Sequence, residues 1–214
     1  MCGIFVSYGP QINFLSLKKL ANYLIHRGPD NQGYLKINNN IMFGHTRLSI
    51  IDSSRASNQP FRDDHSIVLF NGLIYNYLEI KLKLKNFYNF KTKSDTEVIS
   101  AAYKHWGKKC FSKFNGMFSI VIYDLKLKEI IVARDRLGIK PLYYRKVKKN
   151  YYFSSEIKPL LKIEKYNQDL KTVSNYFQNS IYENYENTFF EEVKQFLPGS
   201  YYVFKNYKIK NMIN

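Results

Sequence analysis

Cysteine is scarce: Cys2 and Cys110 are the only two in 214 residues. Two thiols cannot build a disulfide framework, and no paired-cysteine or cysteine–histidine spacing marks a zinc site. The four histidines (His26, His45, His65 and His105) are scattered and set no metal pattern, so no metal is expected. Long hydrophobic runs are also missing. Nothing approaches the ~20 uninterrupted apolar residues of a membrane helix, and no membrane association is expected. The opening residues Met1-Cys2-Gly3-Ile4-Phe5-Val6-Ser7 have neither the basic leader nor the apolar stretch of a secretory signal. These absences lead us to expect a cytoplasmic chain. The sequence also lacks a glycine-rich phosphate loop, a long linker and an internal repeat.

Acidic residues are few, 17 against 33 Lys and Arg, giving a net charge of +16. Such a charge can mark a nucleic-acid partner. Here Lys, Asn, Ile, Tyr and Phe are abundant throughout, and the basic cluster Arg145-Lys146-Val147-Lys148-Lys149 is not interleaved with stacking aromatics. The charge therefore reads as a compositional drift, the cluster as a surface turn, and nucleic acid is not an expected partner. Apolar residues make up 45%, with 19 Tyr and 16 Phe, enough for one sizeable core.

Short β-branched or aromatic runs bounded by turn residues predict strands over Ile4–Tyr8, Met42–Ile51, Ser66–Asn71, Met117–Tyr123, Ile130–Ala133 and Tyr151–Phe153. Helices are predicted over Ser16–Ile25, with Leu17, Leu20 and Leu24 on one face, and over Tyr75–Asn86, Thr96–Trp106 and Leu170–Asn179. The mixture without regular alternation is α+β. Residues 2–204 read as one domain, and Lys205–Asn214 as a polar, frayed tail or the start of a linker.

Cys2 follows an initiator methionine and precedes a strand. With Met1 removed, its thiol (ordinary pKa ~8.5) and its α-amine (~7.7–8.0) would share one residue, and the amine could serve as base for the thiol. Alone, that position is weak evidence. In chain order there follow His26-Arg27-Gly28-Pro29-Asp30, Gly44-His45-Thr46-Arg47-Leu48-Ser49-Ile50-Ile51-Asp52, Asn58-Gln59-Pro60-Phe61, Phe70-Asn71-Gly72 with Ile74-Tyr75-Asn76, Ser94-Asp95-Thr96-Glu97, Phe114-Asn115-Gly116-Met117-Phe118, Ala133–Tyr144, Phe153-Ser154-Ser155-Glu156-Ile157 and Leu197-Pro198-Gly199. This series resembles the class II glutamine amidotransferases, and asparagine synthetases in particular, over nearly the whole chain.

The resemblance implies a four-layer αββα sandwich, two antiparallel sheets flanked by helices, of the N-terminal-nucleophile hydrolase type. It implies that Cys2 attacks the side-chain amide of L-glutamine to form a γ-glutamyl thioester. Asn71 and Gly72 would supply the oxyanion donors, Arg47 would hold the α-carboxylate and Asp95 the α-ammonium, kept ionised by the helix dipole. Ile51 and Leu73 would complete the substrate pocket. Arg27 is divided between site and scaffold. Arg134, Asp135 and Arg136 read as a salt-bridged scaffold near an interface with a synthetase domain, and Cys110 and Trp106 as packing residues.

Two departures stand out. The family's usual Asn-Gly-Glu is Asn71-Gly72-Leu73 here, which removes one acid from the ammonium site. The pyrophosphate loop of the synthetase domain is also missing, so ATP and Mg would serve only that absent domain and the glutaminase needs no cofactor. The chain is then expected to be truncated, split or free-standing, with a synthetase domain or separate subunit as the ammonia-accepting partner. A free-standing amidotransferase with another acceptor, or a catalytically silent interaction module of the same fold, remains open.

Overall fold

The computed structural model describes residues 1–10, 12–180 and 186–213. In chain order the elements are β1 (Gly3–Tyr8), α1 (Phe14–Ala21), β2 (Asn31–Asn38), β3 (Ile41–Arg47), β4 (Phe61–Arg62), β5 (Ser66–Ile74), α2 (Tyr77–Leu84), α3 (Asp95–Trp106), β6 (Gly116–Asp124), β7 (Glu129–Arg134), β8 (Tyr143–Val147), β9 (Asn150–Ser154), α4 (Ile157–Leu161), α5 (Leu170–Asn179), β10 (Val193–Gln195), β11 (Tyr201–Lys205) and β12 (Lys208–Ile213). Among the described residues they form two antiparallel sheets, ordered β10-β8-β9-β1-β3-β2 and β12-β11-β7-β6-β5-β4.

Strand periodicity explains the layers. On β1, Ile4, Val6 and Tyr8 enter the core between the sheets, together with Phe43, Ile67, Leu69, Val121 and Val132. The alternate residue Phe5 packs outward with Ala21, Leu24 and Leu160, beneath α1 and α4. On β5, Val68 and Phe70 face outward to Ile80, Leu84, Val98 and Ile99 of α2 and α3. Successive side chains of a strand take opposite faces, so the central strands of both sheets are buried on both sides. The layers run helix, sheet, sheet, helix, as expected.

Several boundaries differ from the sequence reading. The strand expected over Met42–Ile51 ends at Arg47, where the chain leaves the sheet and Ser49 N–H donates to Asp30 Oδ2 (2.7 Å). The first helix starts earlier, capped by Asn13 Oδ1 accepting from Ser16 N–H (3.2 Å). After Ala21 it tightens into a 3-10 helix over Asn22–Arg27. The Leu17 side chain lies outside the described residues. The helix expected from Tyr75 begins at Tyr77. Within the segment expected as a frayed tail, Lys208–Ile213 pairs with β11 as an edge strand, and Asn214 lies outside the described residues. The basic cluster is not a surface turn throughout. Arg145 is buried on β8, donating to the carbonyls of Leu160 (2.9 Å) and Glu164 (3.0 Å).

Candidate active site

The same alternation that fills the core brings the candidate residues together. Cys2 continues the inward series Ile4, Val6, Tyr8. Arg47 continues Ile41, Phe43, His45 on β3, and Asn71 and Leu73 continue Ile67, Leu69 on β5. All four reach the open end of the sandwich, where a cleft of about 130 Å³ is lined by Cys2, Arg47, Ile51, Asn71, Gly72, Leu73 and Asp95. Every residue assigned to the site from sequence therefore borders one cavity. None of the four histidines is among its lining residues.

Cys2 is anchored through its main chain. Arg27 Nε donates to the Cys2 carbonyl (2.9 Å), while its Nη1 pairs with Glu156 (2.9 Å). Arg27 thus braces the Cys2 backbone and is absent from the cavity wall. Cys2 Sγ lies 3.4 Å from Leu48 N and 3.6 Å from Leu48 O. Burial pushes the thiol above its ordinary value; the Leu48 N–H, the terminal ammonium and Arg47 pull the other way, and Asp95 adds to the rise. A thiol so placed needs a base to become a nucleophile. The other free thiol, Cys110, is fully buried among α3-side residues and is pushed higher still by that burial.

Asn71 is 1% exposed, and its Nδ2 has no hydrogen-bond partner among the described residues. A buried amide donor left unpaired is costly and rare. Gly72 offers a second donor. Opposite it on β6, Phe118 has its N–H and C=O committed to Asp135, so the Gly72–Phe118 pair is not hydrogen-bonded across the ladder. Gly72 N–H therefore points away from β6, on the side where Phe70 N–H meets Gln59 Oε1 (2.6 Å) and Ile74 N–H meets Asp95 Oδ2 (3.2 Å). Only glycine fits there, because a Cβ would sit 2.1 Å from the Met117 carbonyl oxygen.

The charged walls are Arg47 and Asp95. Arg47 is buried; Nη1 donates to Ser54 O (2.9 Å) and Asn58 Oδ1 (2.6 Å), and Nη2 to Asp52 O. Three of its five N–H donors hold the loop after β3, and the other two have no partner among the described contacts. Asp95 is the first residue of α3, whose N-cap is Ser94, accepting from Thr96 N–H (3.1 Å). Burial pushes the Asp95 carboxyl up to about 6, against the pull of the Ile74, Asp95 and Thr96 N–H groups. Desolvation outweighs the helix terminus, so the acid expected to be ionised is still ionised at neutral pH but titrates well above the ordinary carboxylate range.

The sequence reading gave no site role to several further wall residues, Gln59, Met117 and Lys140 among them. Gln59 bridges β5 to α3 through Phe70 N–H and Thr96 Oγ1. Met117 lines the cleft beside Leu73. Lys140 also lines it, although the sequence placed it in a scaffold run. In that run Arg134 donates to the carbonyls of Gly138, Lys140 and Phe196, and Asp135 accepts backbone N–H groups. The scaffold is built on main-chain hydrogen bonds. A scan for glutamate or histidine partners would not have found these residues; the alternation of β6 would have found Met117.

The architecture has close counterparts. The glutamine phosphoribosylpyrophosphate amidotransferase of Bacillus subtilis, solved with ADP and GMP, superposes with a TM-score of 0.72 over 98% of this chain and 48% of that one, at 19% identity. That likeness shows the fold, two antiparallel sheets packed between layers of helices. Sequence carries the assignment further, since the model of the glutamine amidotransferase domain matches residues 1–212, and the chain belongs to that family. A putative glutamine-hydrolysing asparagine synthetase 2 of Methanocaldococcus jannaschii is 37% identical over 91% of this chain and 43% of its own length. Asparagine synthetase 1 of Bacillus subtilis, also glutamine-hydrolysing, is 41% identical over 68% of this chain and 23% of its length. Amidase chry2 of Gibberella zeae is 35% identical over 87% and 28%. The chain thus spans less than half the length of these curated relatives.

Proposed function

We propose that this domain hydrolyses L-glutamine at Cys2 and delivers the ammonia to a synthetase domain or subunit that amidates aspartate. The observation that carries the reading is the unpaired Nδ2 of Asn71, buried in the same cleft as the Cys2 thiol. With Met1 removed, the freed α-amine takes the thiol proton through one water, and Sγ adds to the side-chain carbonyl carbon. The oxyanion is held by Asn71 Nδ2 and Gly72 N–H. The tetrahedral adduct collapses, the amine returns the proton, and ammonia leaves. Water then cleaves the thioester to give glutamate and regenerates the thiol. Preorganised donors at such an oxyanion contribute ~2.7–4 kcal/mol each.

Arg47 binds the α-carboxylate through its uncommitted donors, and Asp95 binds the α-ammonium. A free amino acid satisfies both charges and an internal peptide residue neither. Ile51 forms an apolar wall along the substrate's methylenes, and Leu73 borders the ammonium. No cofactor takes part in these steps; ATP and Mg would serve the synthetase reaction. The relatives named as asparagine synthetases support that acceptor. A free thiol nucleophile with a second free cysteine suits a reducing cytoplasm.

The test is a glutamine-analogue diazoketone followed by peptide mass mapping. Labelling at Cys2 with loss of glutamate release is expected. Labelling at Cys110 with loss of activity would move the nucleophile elsewhere.

A further inference from the structure

Lys140 ends the turn between β7 and β8 and is only 6% exposed. Its main chain is fixed on both sides: Lys140 N–H donates to Asp135 Oδ2 (3.0 Å), and its carbonyl accepts from Arg134 Nε (3.0 Å). The side chain borders the cleft with Cys2, and Nζ reaches Met1 Sδ at 2.9 Å. A thioether is a weak acceptor. No salt bridge of Lys140 occurs among the described residues, because Asp135 commits its oxygens to the N–H groups of Phe118, Leu137, Ile139 and Lys140. A buried ammonium without a paired carboxylate lowers stability, so its place beside a reactive thiol calls for a functional account.

We propose that Lys140 is a positioning residue whose buried ammonium keeps the α-amine of Cys2 unprotonated and its thiol readily ionised. The proposal rests on the N-terminal-nucleophile reading above. A nearby positive charge disfavours a second ammonium and favours a thiolate, so one charge acts in the required direction on both base and nucleophile. Removal of Met1 takes away the thioether and leaves the Lys140 ammonium in one cleft with the amine it uncovers.

Of the surrounding charges, Arg47 also pulls the Cys2 thiol down, and Asp95 opposes it. Arg27 braces the Cys2 carbonyl but is offset by Glu156, which His26 also contacts (2.8 Å). Arg47 is held by the loop after β3, and Asp95 and Asp52 line the cleft with opposite sign. The Lys140 ammonium itself is pulled below its ordinary value by burial and then by Arg27, with Asp135 and the Cys2 thiol pulling back.

The experiment uses chains beginning at Cys2, as wild type and as Lys140→Met, Lys140→Gln and Lys140→Arg, checked for folding by circular dichroism. Two pH profiles are read: alkylation of Cys2 by iodoacetamide, followed by mass spectrometry, and glutamate release. Lys140→Met and Lys140→Gln should move the acid limb of both to higher pH and slow alkylation at pH 7 roughly tenfold. Lys140→Arg should restore the wild-type limb. A folded Lys140→Met or Lys140→Gln protein with an unshifted limb would overturn the proposal, as would a uniform loss of rate without a shift. The wild type gives a variant-free check. Its ¹⁵N-labelled Cys2 amine should titrate below the ordinary ~7.7–8.0, and titration at or above that range would also overturn the proposal. Alkylation reports on Lys140 even without turnover. A lysine-dependent limb in a protein that releases no glutamate would support the field and refute the hydrolase reading alone.

Discussion

Lowering the pH from 7.5 to 5 should weaken glutamine binding about tenfold, through Asp95 alone. Burial raises this carboxyl to about 6, and only its ionised form attracts an α-ammonium. For a single proton competing with ligand, the apparent Kd scales as one plus the ratio of proton concentration to acid constant. With a constant near 6 that factor is about 11 at pH 5 and close to 1 at pH 7.5; an ordinary aspartate would give almost no change. The substrate ammonium stays charged throughout this window. The assay is calorimetric titration of Cys2→Ala with L-glutamine between pH 5 and 8, which removes turnover while keeping the pocket. Affinity that stays flat to pH 5 would refute both the desolvation argument and the ammonium role.

The same shift makes a stability statement with a definite sign. A carboxyl raised from 3.8 to about 6 in the folded state costs stability wherever it is ionised in the fold, fully so above pH 6, by about 3 kcal/mol. The cost is relieved as pH falls through 6 toward 4. Asp95→Asn, whose amide oxygen can still accept from Ile74 N–H, should therefore lose glutamine binding yet melt no lower than wild type at pH 7.5.

Other outcomes follow from the cleft. Asn71→Ala should lower kcat by ~10²–10³, the usual loss for one oxyanion donor, with a folded protein by circular dichroism; a kcat within threefold of wild type would remove Asn71 from the mechanism. Leu73→Glu should lower KM for glutamine with kcat little changed, because the ammonium is bound about equally in ground and transition states. The gain is bounded by ~1.5–3 kcal/mol for a charged hydrogen bond, less the repulsion from Asp95. An unchanged or raised KM would show that Leu73 does not face the ammonium.

What the sequence could reveal depended on burial. β1, β5, β6 and β7 are central strands with continuous apolar runs, and each was predicted to within a few residues. Helix α5 was predicted over Leu170–Asn179, with Asp169 Oδ1 accepting from Thr172 N–H (3.0 Å) at its start. The edge strands β2, β4, β10 and β12 were missed, and so were the interior strands β8 and β11. An edge needs only one paired side and favours polar and lysine residues, so Asn31–Asn38 and Lys208–Ile213 carry little apolar signal. Arg145 misled for a related reason: a basic run reads as surface, yet this guanidinium finds its acceptors in the last turn of α4 and the loop after it.

The site was legible through ordered motifs and strand alternation. Cys2, Arg47, Asn71 and Leu73 share the parity of core residues on their strands, and Ser94–Glu97 marks a helix start. Lys140 was not legible, because neither its burial nor its nearness to Cys2 follows from local pattern. The raised Asp95 carboxyl was missed because a helix N-terminus ordinarily favours the ionised form of an acid, and only tertiary burial opposes that.

The central claim is that Cys2 hydrolyses glutamine with its own α-amine as base. The most direct measurement compares glutamate release by two preparations of this chain, identified by intact mass, one beginning at Cys2 and one retaining Met1. The account predicts equimolar glutamate and ammonia from the first and none from the second, with activity appearing when Met1 is removed enzymatically. Equal turnover by the preparation that retains Met1 would contradict it.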